Sequence, residues 1–481
     1  MTKLKEIRKY IEEVSGKTID IAKKVWDYAE LSYNEFNSCK VLTEALISEG
    51  FEVVENIAGM PTAFTATFKK GNGKPVMGFL AEYDALDGLS QKAGCTTKEP
   101  VVESGSGHGC GHNLLGAGSF ASAVAVKKYL ENNNLDGTVV LFGCPAEEGA
   151  GSKQFIARAG YFDDVDYVYT WHPGTFNEVQ STGSVAIMGA NFIFDGIASH
   201  AGGAPHLGRS ALDACELMNV GCNYLREHML DQARIHYAYS NAGGTAPNVV
   251  PDHATIKYEV RAPKVSQMQE LFTRVVDVAK GAALMTGTKM RYEITMAFSD
   301  YVPNKALSEV MSEALQEAGA PEWTEEEYAL AKKFLSSYSK ETLHSVKEEL
   351  STVFEDEDEL NKAIDKPLCS VTVPFDPKAF KYESGSTDVG DVGYATPTTQ
   401  LSIATACLGC IAHSWQWTAF SGSDIGMKGM LKAAEIMALA TVNTMDKPEI
   451  IEAAKKELKI KNGGKYNCPL PETVNPPIGK Y

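Results

Sequence analysis

The sequence lacks the features that place a chain in or on a membrane. It has no run of about 18 uninterrupted apolar residues, and its N-terminal stretch MTKLKEIRKYIEEV is charged and amphipathic rather than an apolar leader. Basic residues are also few, with 45 Lys and Arg against 62 Asp and Glu and a net charge of -17. This balance argues against nucleic acid and anionic membranes as partners, although a local basic pocket could still bind a small anion. We therefore expect a cytoplasmic protein.

Cysteine is sparse as well. The ten cysteines in 481 residues show no tight framework spacing, which excludes a small disulfide-stapled scaffold and predicts that most of them are reduced and buried. With 44% hydrophobic and 22% charged residues, the chain has the composition of an ordinary globular protein with a sizeable core.

What the sequence does contain is an alternation of apolar runs and helical patterns. VMGFLAE (76–82), TVVLFGC (138–144) and DYVYTW (166–171) are short and rich in β-forming residues, and the helical LLGAGSFASAVAVKKYLEN (114–132) lies between the first two. Continuous apolar strands separated by helices are typical of a parallel sheet covered on both faces. The same texture returns in a strand region at 396–409 and a helix at 427–445. The sequence therefore predicts an α/β fold with a mostly parallel sheet.

A different order of predicted strands and helices interrupts this pattern. Residues 184–300 read as a β-α-β-α-β segment, enough for a compact α+β domain with helices on one sheet face. We therefore predict a split domain formed by 1–183 and 301–481, with 184–300 inserted into it. The stretch 321–365 is charged and poor in aromatics, which indicates a solvated helical insertion. Near the N-terminus, the helical pattern over 3–32 suggests two segments broken at Gly16.

The Gly-rich stretch GSGHGCGHNLLG (105–116) carries the densest chemical signal. Cys110 and His112 are two residues apart in a flexible loop that leads into a helix, so both side chains can converge on one point. Thiolate and imidazole suit zinc and similar divalent ions. Two alternatives stay open at this stage: a buried cysteine beside a capping histidine, and a Cys–His nucleophilic pair.

A pair of glutamates follows the strand at 138–144. Burial of Glu147 and Glu148 in CPAEEG as two free anions would be unfavourable. A metal that binds one of them while the other acts as general base removes this difficulty. The alternative is a solvated loop.

Two histidines complete the set. His172 of TWHPG lies just past the strand at 166–171, and His413 of GCIAHSWQWT follows the strand region at 396–409. Each alone could be a satisfied core histidine. Ligands of open α/β sheets, however, bind outside the carboxyl ends of strands, where all four motifs lie. Five potential ligands are more than one tetrahedral site needs, which favours two metals and a hydrolytic centre in which Glu147 deprotonates the water.

At this point the sequence resembles a known family. The ordered set GHGCGHN, PAEEG, WHPG, SHAGGAPHLGRSALDA, APNVVPDH and AHSWQW, spread over residues 76 to about 440, is similar to the aminoacylase and carboxypeptidase-G-type metallopeptidases, specifically their cysteine-liganded amidohydrolase branch. The resemblance implies a split catalytic domain with an inserted dimerisation or lid domain. It also implies two divalent metal ions per subunit, zinc or manganese, and a homodimer or a heterodimer with a related subunit.

The resemblance further implies an activity and a set of site residues. The expected reaction is cleavage of the amide bond of an N-acyl amino acid, with aminobenzoyl-glutamate or a similar conjugate of an acidic amino acid as the expected substrate; a dipeptidase and a non-catalytic metal-stabilised binding protein are the alternatives. The implied metal ligands are Cys110, His112, Glu148, His172 and His413. Glu147 falls on the general base, His200 on the histidine that stabilises the oxyanion, commonly from the partner subunit, and Asn248 and Arg261 on substrate contacts.

Some positions depart from the family pattern. Asn113 follows His112 where many relatives carry another residue, and the strand-end acidic motif appears as Glu82 and Asp84, which weakens the expectation that Asp84 orients a ligand histidine. Arg261 could equally serve a structural ion pair. The loop at 384–392, with Ser386, Thr387 and Asp388, could contact substrate or be ordinary turn chemistry.

Overall fold

A seven-stranded sheet lies at the centre of the protein. The computed structural model describes residues 2–351 and 356–480. The strands of the whole described chain are β1 (Glu52–Glu55), β2 (Phe64–Lys70), β3 (Val76–Ala81), β4 (Gly137–Gly143), β5 (Tyr167–Gly174), β6 (Glu178–Val179), β7 (Gly183–Ser184), β8 (Ala186–Asp195), β9 (Arg234–Asn241), β10 (His253–Ala262), β11 (Lys289–Phe298), β12 (Tyr382–Glu383) and β13 (Thr398–Ala404).

Helices separate most of these strands. They are α1 (Lys3–Tyr28), α2 (Phe36–Ser48), α3 (His112–Asn132), α4 (Lys153–Arg158), α5 (Ala211–Leu225), α6 (Val265–Thr286), α7 (Lys305–Ala318), α8 (Glu325–Leu335), α9 (Lys340–Ser351), α10 (Glu357–Asp365), α11 (Val389–Ala395), α12 (Trp415–Ser421), α13 (Asp424–Met445) and α14 (Pro448–Asn462). No helix in the described ranges is long and apolar enough to cross a membrane.

The order of strands in the central sheet is β1-β2-β4-β3-β5-β13-β6. The middle four strands, β4, β3, β5 and β13, pair in parallel, whereas β1, β2 and β6 join antiparallel at the edges. Ala81 pairs with Gly143 and Gly174 pairs with Ala404, so the strands within each of these pairs end in register. The α/β class with a mostly parallel sheet is confirmed, and the strand ends form one edge.

Both faces of the central sheet are covered. Phe79, Leu141 and Tyr169 pack in one core cluster with α1, α3, α7 and α13, while Leu80, Phe142 and Val168 on the alternate face pack in a second cluster with α4 and α11. Alternate residues of each strand are thus buried in different layers, which explains why the strands are continuous apolar runs in the sequence.

A second, antiparallel sheet has the order β11-β8-β10-β9, and α5 and α6 pack on one of its faces. Phe192 of β8 contacts Phe272 of α6 there, with ring centroids 6.1 Å apart. The sequence analysis missed β9, although Ile235, Tyr237 and Tyr239 alternate along it; only Ile235 of this edge strand is buried. The predicted limits 1–183, 184–300 and 301–481 stay a prediction.

Three helices, α8, α9 and α10, lie in the described part of 321–365; residues 352–355 of that stretch lie outside it. Their outer residues are charged and exposed, yet Phe334 and Ala331 are fully buried and Val346 is nearly so. The interpretation of this stretch as merely solvated is therefore wrong for its inner face.

The N-terminal helix contradicts another expectation. α1 runs unbroken from Lys3 to Tyr28, so the predicted break at Gly16 is wrong. Gly16 is exposed, and a β-carbon there would meet nothing within 4 Å. Burial of residues such as Ile7, Ile11 and Val14 holds the helix together and outweighs the weak helix propensity of one glycine.

Two helical glycines give a test of this packing. Gly16→Ala should raise the free energy of unfolding by about 0.5–1 kcal/mol, because alanine loses less backbone entropy on folding. Gly429→Ala should lower it by about 1–3 kcal/mol, because the added β-carbon would lie 2.2 Å from the Ala404 carbonyl oxygen of β13. Urea denaturation measures both values. Equal effects of the same sign would contradict the assigned packing of α13 on the sheet.

Candidate metal centre and active site

Acidic, imidazole and thiol groups meet at the carboxyl-end edge of the four parallel strands. Glu82 and Asp84 follow β3, Glu147 and Glu148 follow β4, His172 lies near the end of β5, and Cys110 and His112 stand at the start of α3. Three overlapping groups have ligand atoms within 4.8 Å of one another: Cys110, His112 and His172; Cys110, Glu148 and His413; and Glu82, His112 and Glu147. All five predicted ligands therefore come together. One detail differs, because β5 extends to Gly174 and His172 lies inside the strand rather than just past it.

The Gly-rich loop brings Cys110 and His112 to the same point. Gly111 between them has φ 81°, in the left-handed region that favours glycine, and a β-carbon there would lie 3.0 Å from Pro173. Cys110 Sγ lies 3.4 Å from His172 Nε2. The predicted convergence of this loop is what the structure shows.

Two histidine rings are oriented through their Nδ1 atoms. His112 Nδ1 lies 2.9 Å from Asp84 Oδ1, and His172 Nδ1 lies 2.7 Å from the Pro173 carbonyl oxygen. With Nδ1–H as donor in both rings, each Nε2 keeps a free lone pair, which is the usual arrangement of metal-ligating histidine. Asp84 therefore orients His112, although Glu82 departs from the family motif that predicts this role. Asp84 Oδ2 also accepts the Glu148 backbone N–H at 2.9 Å.

Glu148 faces His413. Glu148 Oε1 lies 3.5 Å from His413 Nε2, and the His413 side chain is 54% exposed. The neighbouring Glu148 carboxylate raises the pKa of His413 above its usual value. His413 has φ 56°, a left-handed conformation that is uncommon for a residue other than glycine, and its N–H donates to the Gly109 carbonyl oxygen at 2.9 Å.

Sequence reasoning did not assign Glu82 to the site. Glu82 Oε2 lies 3.3 Å from His112 Nε2, beside Glu147. Burial and the charges of Glu82 and Glu148 raise the pKa of Glu147 well above the ordinary range. The acids are crowded more closely than free anions tolerate, as expected of a pocket whose charge is balanced by cations.

Lys153 balances part of this charge. Its Nζ is fully buried, 2.8 Å from Glu82 Oε1 and 2.5 Å from Asp388 Oδ1. Asp388 Oδ2 also accepts the backbone N–H groups of Ser152 and Lys153. Burial alone would raise the pKa of Glu82, but Lys153 and His112 lower it. Neither Lys153 nor the role of Asp388 had a signal in the sequence, because these partners are 235 residues apart.

The donors that remain fit divalent metal ions. His112 Nε2 and Glu148 Oε1 are buried and form no hydrogen bond with the residues that the structure describes. Together with Cys110, His172 and His413, these two residues provide a thiol, three imidazoles and a carboxylate, a donor set suited to zinc and related ions. Buried polar atoms without partners need compensation, and a cation that they coordinate would supply it.

A cysteine nucleophile fits less well. Burial and the neighbouring Glu148 raise the pKa of Cys110 far above that of a free thiol. Reactive cysteines have lowered pKa values, so this environment does not favour Cys110 as a nucleophile.

The other predicted site residues lie apart from this cluster. His200 is exposed, and its Nδ1 accepts the backbone N–H groups of Gly202 and Gly203 at 3.1 and 2.9 Å. Its proton is therefore on Nε2, which can donate. Asn248 lies on the adjacent segment, where its backbone carbonyl oxygen accepts the Ala201 N–H at 2.8 Å.

Arg261 and the loop at 384–392 touch each other. Arg261 Nη1 donates to Ser386 Oγ at 3.1 Å, and its Nη2 lies 3.5 Å from Glu259 Oε2. Arg261 therefore has Glu259 as the partner of a structural ion pair, and its role in substrate binding stays a prediction. Asn113 is buried and donates to the carbonyl oxygens of Ala22 and Ser421, which ties the start of α3 to its neighbours.

The buried Lys153 network predicts a large loss of stability when its cation is removed. Lys153→Met should lower the free energy of unfolding by about 3–5 kcal/mol, because Glu82 and Asp388 would stay buried without their partner. Lys280→Met is the matched control, since Lys280 pairs with Asp277 at 2.9 Å on an exposed helix face and should have almost no effect. Urea denaturation gives both values. Similar losses in the two variants would show that the buried ion pairs of Lys153 contribute no more to stability than an exposed pair does.

Comparisons with known proteins agree with this geometry. The model of peptidase family M20/M25/M40 matches residues 78–362. One of the subunits of the p-aminobenzoyl-glutamate hydrolase of Escherichia coli (strain K12) is 41% identical, over 98% of this chain and 99% of its own length. The Xaa-Arg dipeptidase of Mus musculus is 28% identical, over 94% of this chain and 91% of its own.

Among solved structures, the YXEP protein of Bacillus subtilis, a dinuclear metal-binding peptidase of the M20 family, is similar in fold. It has a TM-score of 0.57 and 18% identity, and the likeness covers 90% of this chain and 99% of that one. The family match over more than half of the chain, together with the full-length relative, establishes that this protein belongs to peptidase family M20/M25/M40.

Proposed function

We propose that this protein is a metal-dependent amidohydrolase that cleaves the amide bond of an N-acyl amino acid, with aminobenzoyl-glutamate or a similar conjugate of an acidic amino acid as substrate. The observation that carries the proposal is the convergence of Cys110, His112, His172, Glu148 and His413 beside a further glutamate, Glu147. A purely structural metal site has no use for that additional carboxylate. The substrate is proposed from the relative at 41% identity, which is named for p-aminobenzoyl-glutamate hydrolysis.

In this proposal Cys110, His112, Glu148, His172 and His413 hold two divalent ions, zinc or manganese. Bound there, the metal supplies Lewis acidity that lowers the pKa of water and polarises the scissile carbonyl group. Asp84 keeps the His112 ring in place through the bond at Nδ1. The thiol and imidazole donors favour zinc, whereas the carboxylate also suits manganese.

Glu147 is the proposed general base. Its carboxylate lies beside His112 at the strand-end edge, next to the proposed ligand Glu148 in the chain. It takes a proton from the attacking water and passes it to the leaving nitrogen.

The substrate contacts would come from the second sheet. His200 carries its proton on Nε2 and can donate a hydrogen bond to the developing oxyanion, and Asn248 lies on the segment beside it. Arg261 would bind the carboxylate of the substrate. The resemblance to the family assigns His200 to the active site of a partner subunit, and its exposed side chain suits such a contact.

The assembly that follows is a dimer, either of two copies of this chain or with a related subunit. The Escherichia coli relative is named as one subunit of its hydrolase, which supports the second form. The same proposal includes the division into a catalytic domain of 1–183 and 301–481 and a lid or dimerisation domain of 184–300, and a cytoplasmic location.

A dipeptidase of the same chemistry is the second candidate, favoured by the similarity to the Xaa-Arg dipeptidase. A binding protein without catalysis is the third, and the position of Glu147 argues against it.

A panel of conjugates tests the function. Protein saturated with zinc or manganese should release glutamate from p-aminobenzoyl-glutamate faster than it releases glutamine from p-aminobenzoyl-glutamine, because the side-chain carboxylate is lost in the second. Chelation should abolish turnover and added metal should restore it, which a thiol nucleophile would not require. Quantified amino acid release is the readout. Turnover of Xaa-Arg dipeptides alone would establish the dipeptidase, and no turnover of any acidic conjugate would refute the proposed substrate.

A pair of variants tests the role of the adjacent glutamates. Glu147→Gln should reduce kcat by about 10²–10⁴-fold while metal content by elemental analysis stays near two ions per subunit, because only proton transfer is lost. Glu148→Gln, the matched control, should lose metal as well as activity. Loss of metal in Glu147→Gln would instead assign Glu147 as a ligand.

A further inference from the structure

The segment that carries His413 has little structure of its own. It runs from the end of β13 at Ala404 to the start of α12 at Trp415, without a helix or strand between them. His413 in this segment has φ 56° and a half-exposed side chain. A left-handed conformation at such a residue persists only where the surroundings impose it.

The insertion at 321–365 supplies part of those surroundings. Val346 of α9 packs so closely on Gly409 that a β-carbon at Gly409 would lie 2.1 Å from Val346 Cγ1. Leu408 packs in the same cluster as Val346 and Leu350. Just beyond the insertion, the Pro367 carbonyl oxygen accepts the Leu408 N–H at 2.8 Å. The first half of the His413 segment is therefore held by the insertion and its C-terminal continuation.

Two residues shortly before His413 are held by the turn that follows α8. The Tyr338 hydroxyl accepts the Ile411 N–H at 3.0 Å and lies 3.8 Å from Cys410 Sγ, to which it donates. One hydroxyl thus contacts two consecutive residues just before His413.

The other side of His413 is held by the same part of the insertion. Gln416 Nε2 donates to Ser337 Oγ at 3.1 Å. Phe334 packs on Phe420 with ring centroids 4.2 Å apart and lies 6.4 Å from the Trp415 ring. The last turn of α8 and the residues just after it therefore contact the chain before and after His413.

We propose that Tyr338 is a positioning residue for the metal centre: its hydroxyl holds the Ile411 backbone N–H and the Cys410 thiol so that His413 faces Glu148. The insertion is in this sense a part of the metal centre and not an appendage. The inference rests on the proposed function only in taking His413 as a metal ligand. Partners that orient a ligand without touching the metal typically change metal affinity by about 10–100-fold. Removal of the Tyr338 hydroxyl should therefore weaken one of two metal sites by about tenfold and leave the other unchanged.

The test is metal binding by the full chain, without substrate. Apoprotein of the wild type and of Tyr338→Phe is titrated with zinc against a chromophoric chelator. Tyr328→Phe is the matched control, because Tyr328 lies on α8, its ring faces Lys366, and its hydroxyl donates no hydrogen bond to the described residues of the His413 segment. The expected result is one weakened site in Tyr338→Phe and none in Tyr328→Phe, with kcat recovered at saturating metal. Unchanged affinity in Tyr338→Phe would overturn the inference.

A double-mutant cycle separates positioning from a general loss of stability. In a His413→Ala background, Tyr338→Phe should cause no further loss of metal affinity, because the ligand that it positions is absent. An additional tenfold loss in that background would overturn the inference. Ser337→Ala, which removes the acceptor of Gln416, gives a second variant and should weaken the same site. If the wild type itself binds no metal, the proposed function fails; if it binds two ions and Tyr338→Phe binds them equally well, only this inference fails.

Discussion

The crowding of acidic groups at one edge of the central sheet is the constraint on which the rest of the site depends. Glu82, Asp84, Glu147 and Glu148 follow strands whose ends meet, and burial of so many carboxylates is unfavourable unless cations compensate them. Lys153 compensates Glu82 together with the distant Asp388. The carboxylates that remain lie beside imidazole and thiol groups. Positive charge at this place is therefore a requirement of the fold as much as of the reaction.

The strand register explains why that requirement arises. Because Ala81 pairs with Gly143 and Gly174 pairs with Ala404, the segments that follow β3, β4 and β13 start from the same edge of the sheet. The start of α3 reaches this edge through Gly111, whose positive φ lets Cys110 and His112 turn toward the same point. Residues far apart in the chain are thus brought together by backbone pairing first, and by side-chain contacts second.

The sequence predicts those parts of the site whose cause is local. Glycines around Cys110 and His112, and paired glutamates after an apolar strand, show their chemistry within a few residues. The orienting bond between Asp84 and His112 joins different motifs, and Lys153 with Asp388 had no local sign because each depends on a distant partner. The same reasoning accounts for the fold: buried strands are evident as apolar runs, whereas the continuity of α1 through Gly16 depends on tertiary packing.

The insertion shows how composition can hide a role in a site. Its charged residues lie on the outer face, and they dominate the sequence, while Phe334, Val346 and the Tyr338 hydroxyl face the segment of His413. If His413 is a ligand as proposed, metal binding and docking of these helices are linked equilibria. Linkage is reciprocal, so whatever strengthens the packing of α8 and α9 strengthens metal binding, and bound metal in turn stabilises the docked insertion by the same free energy. The charged insertion at 321–365 is then coupled energetically to the proposed metal centre.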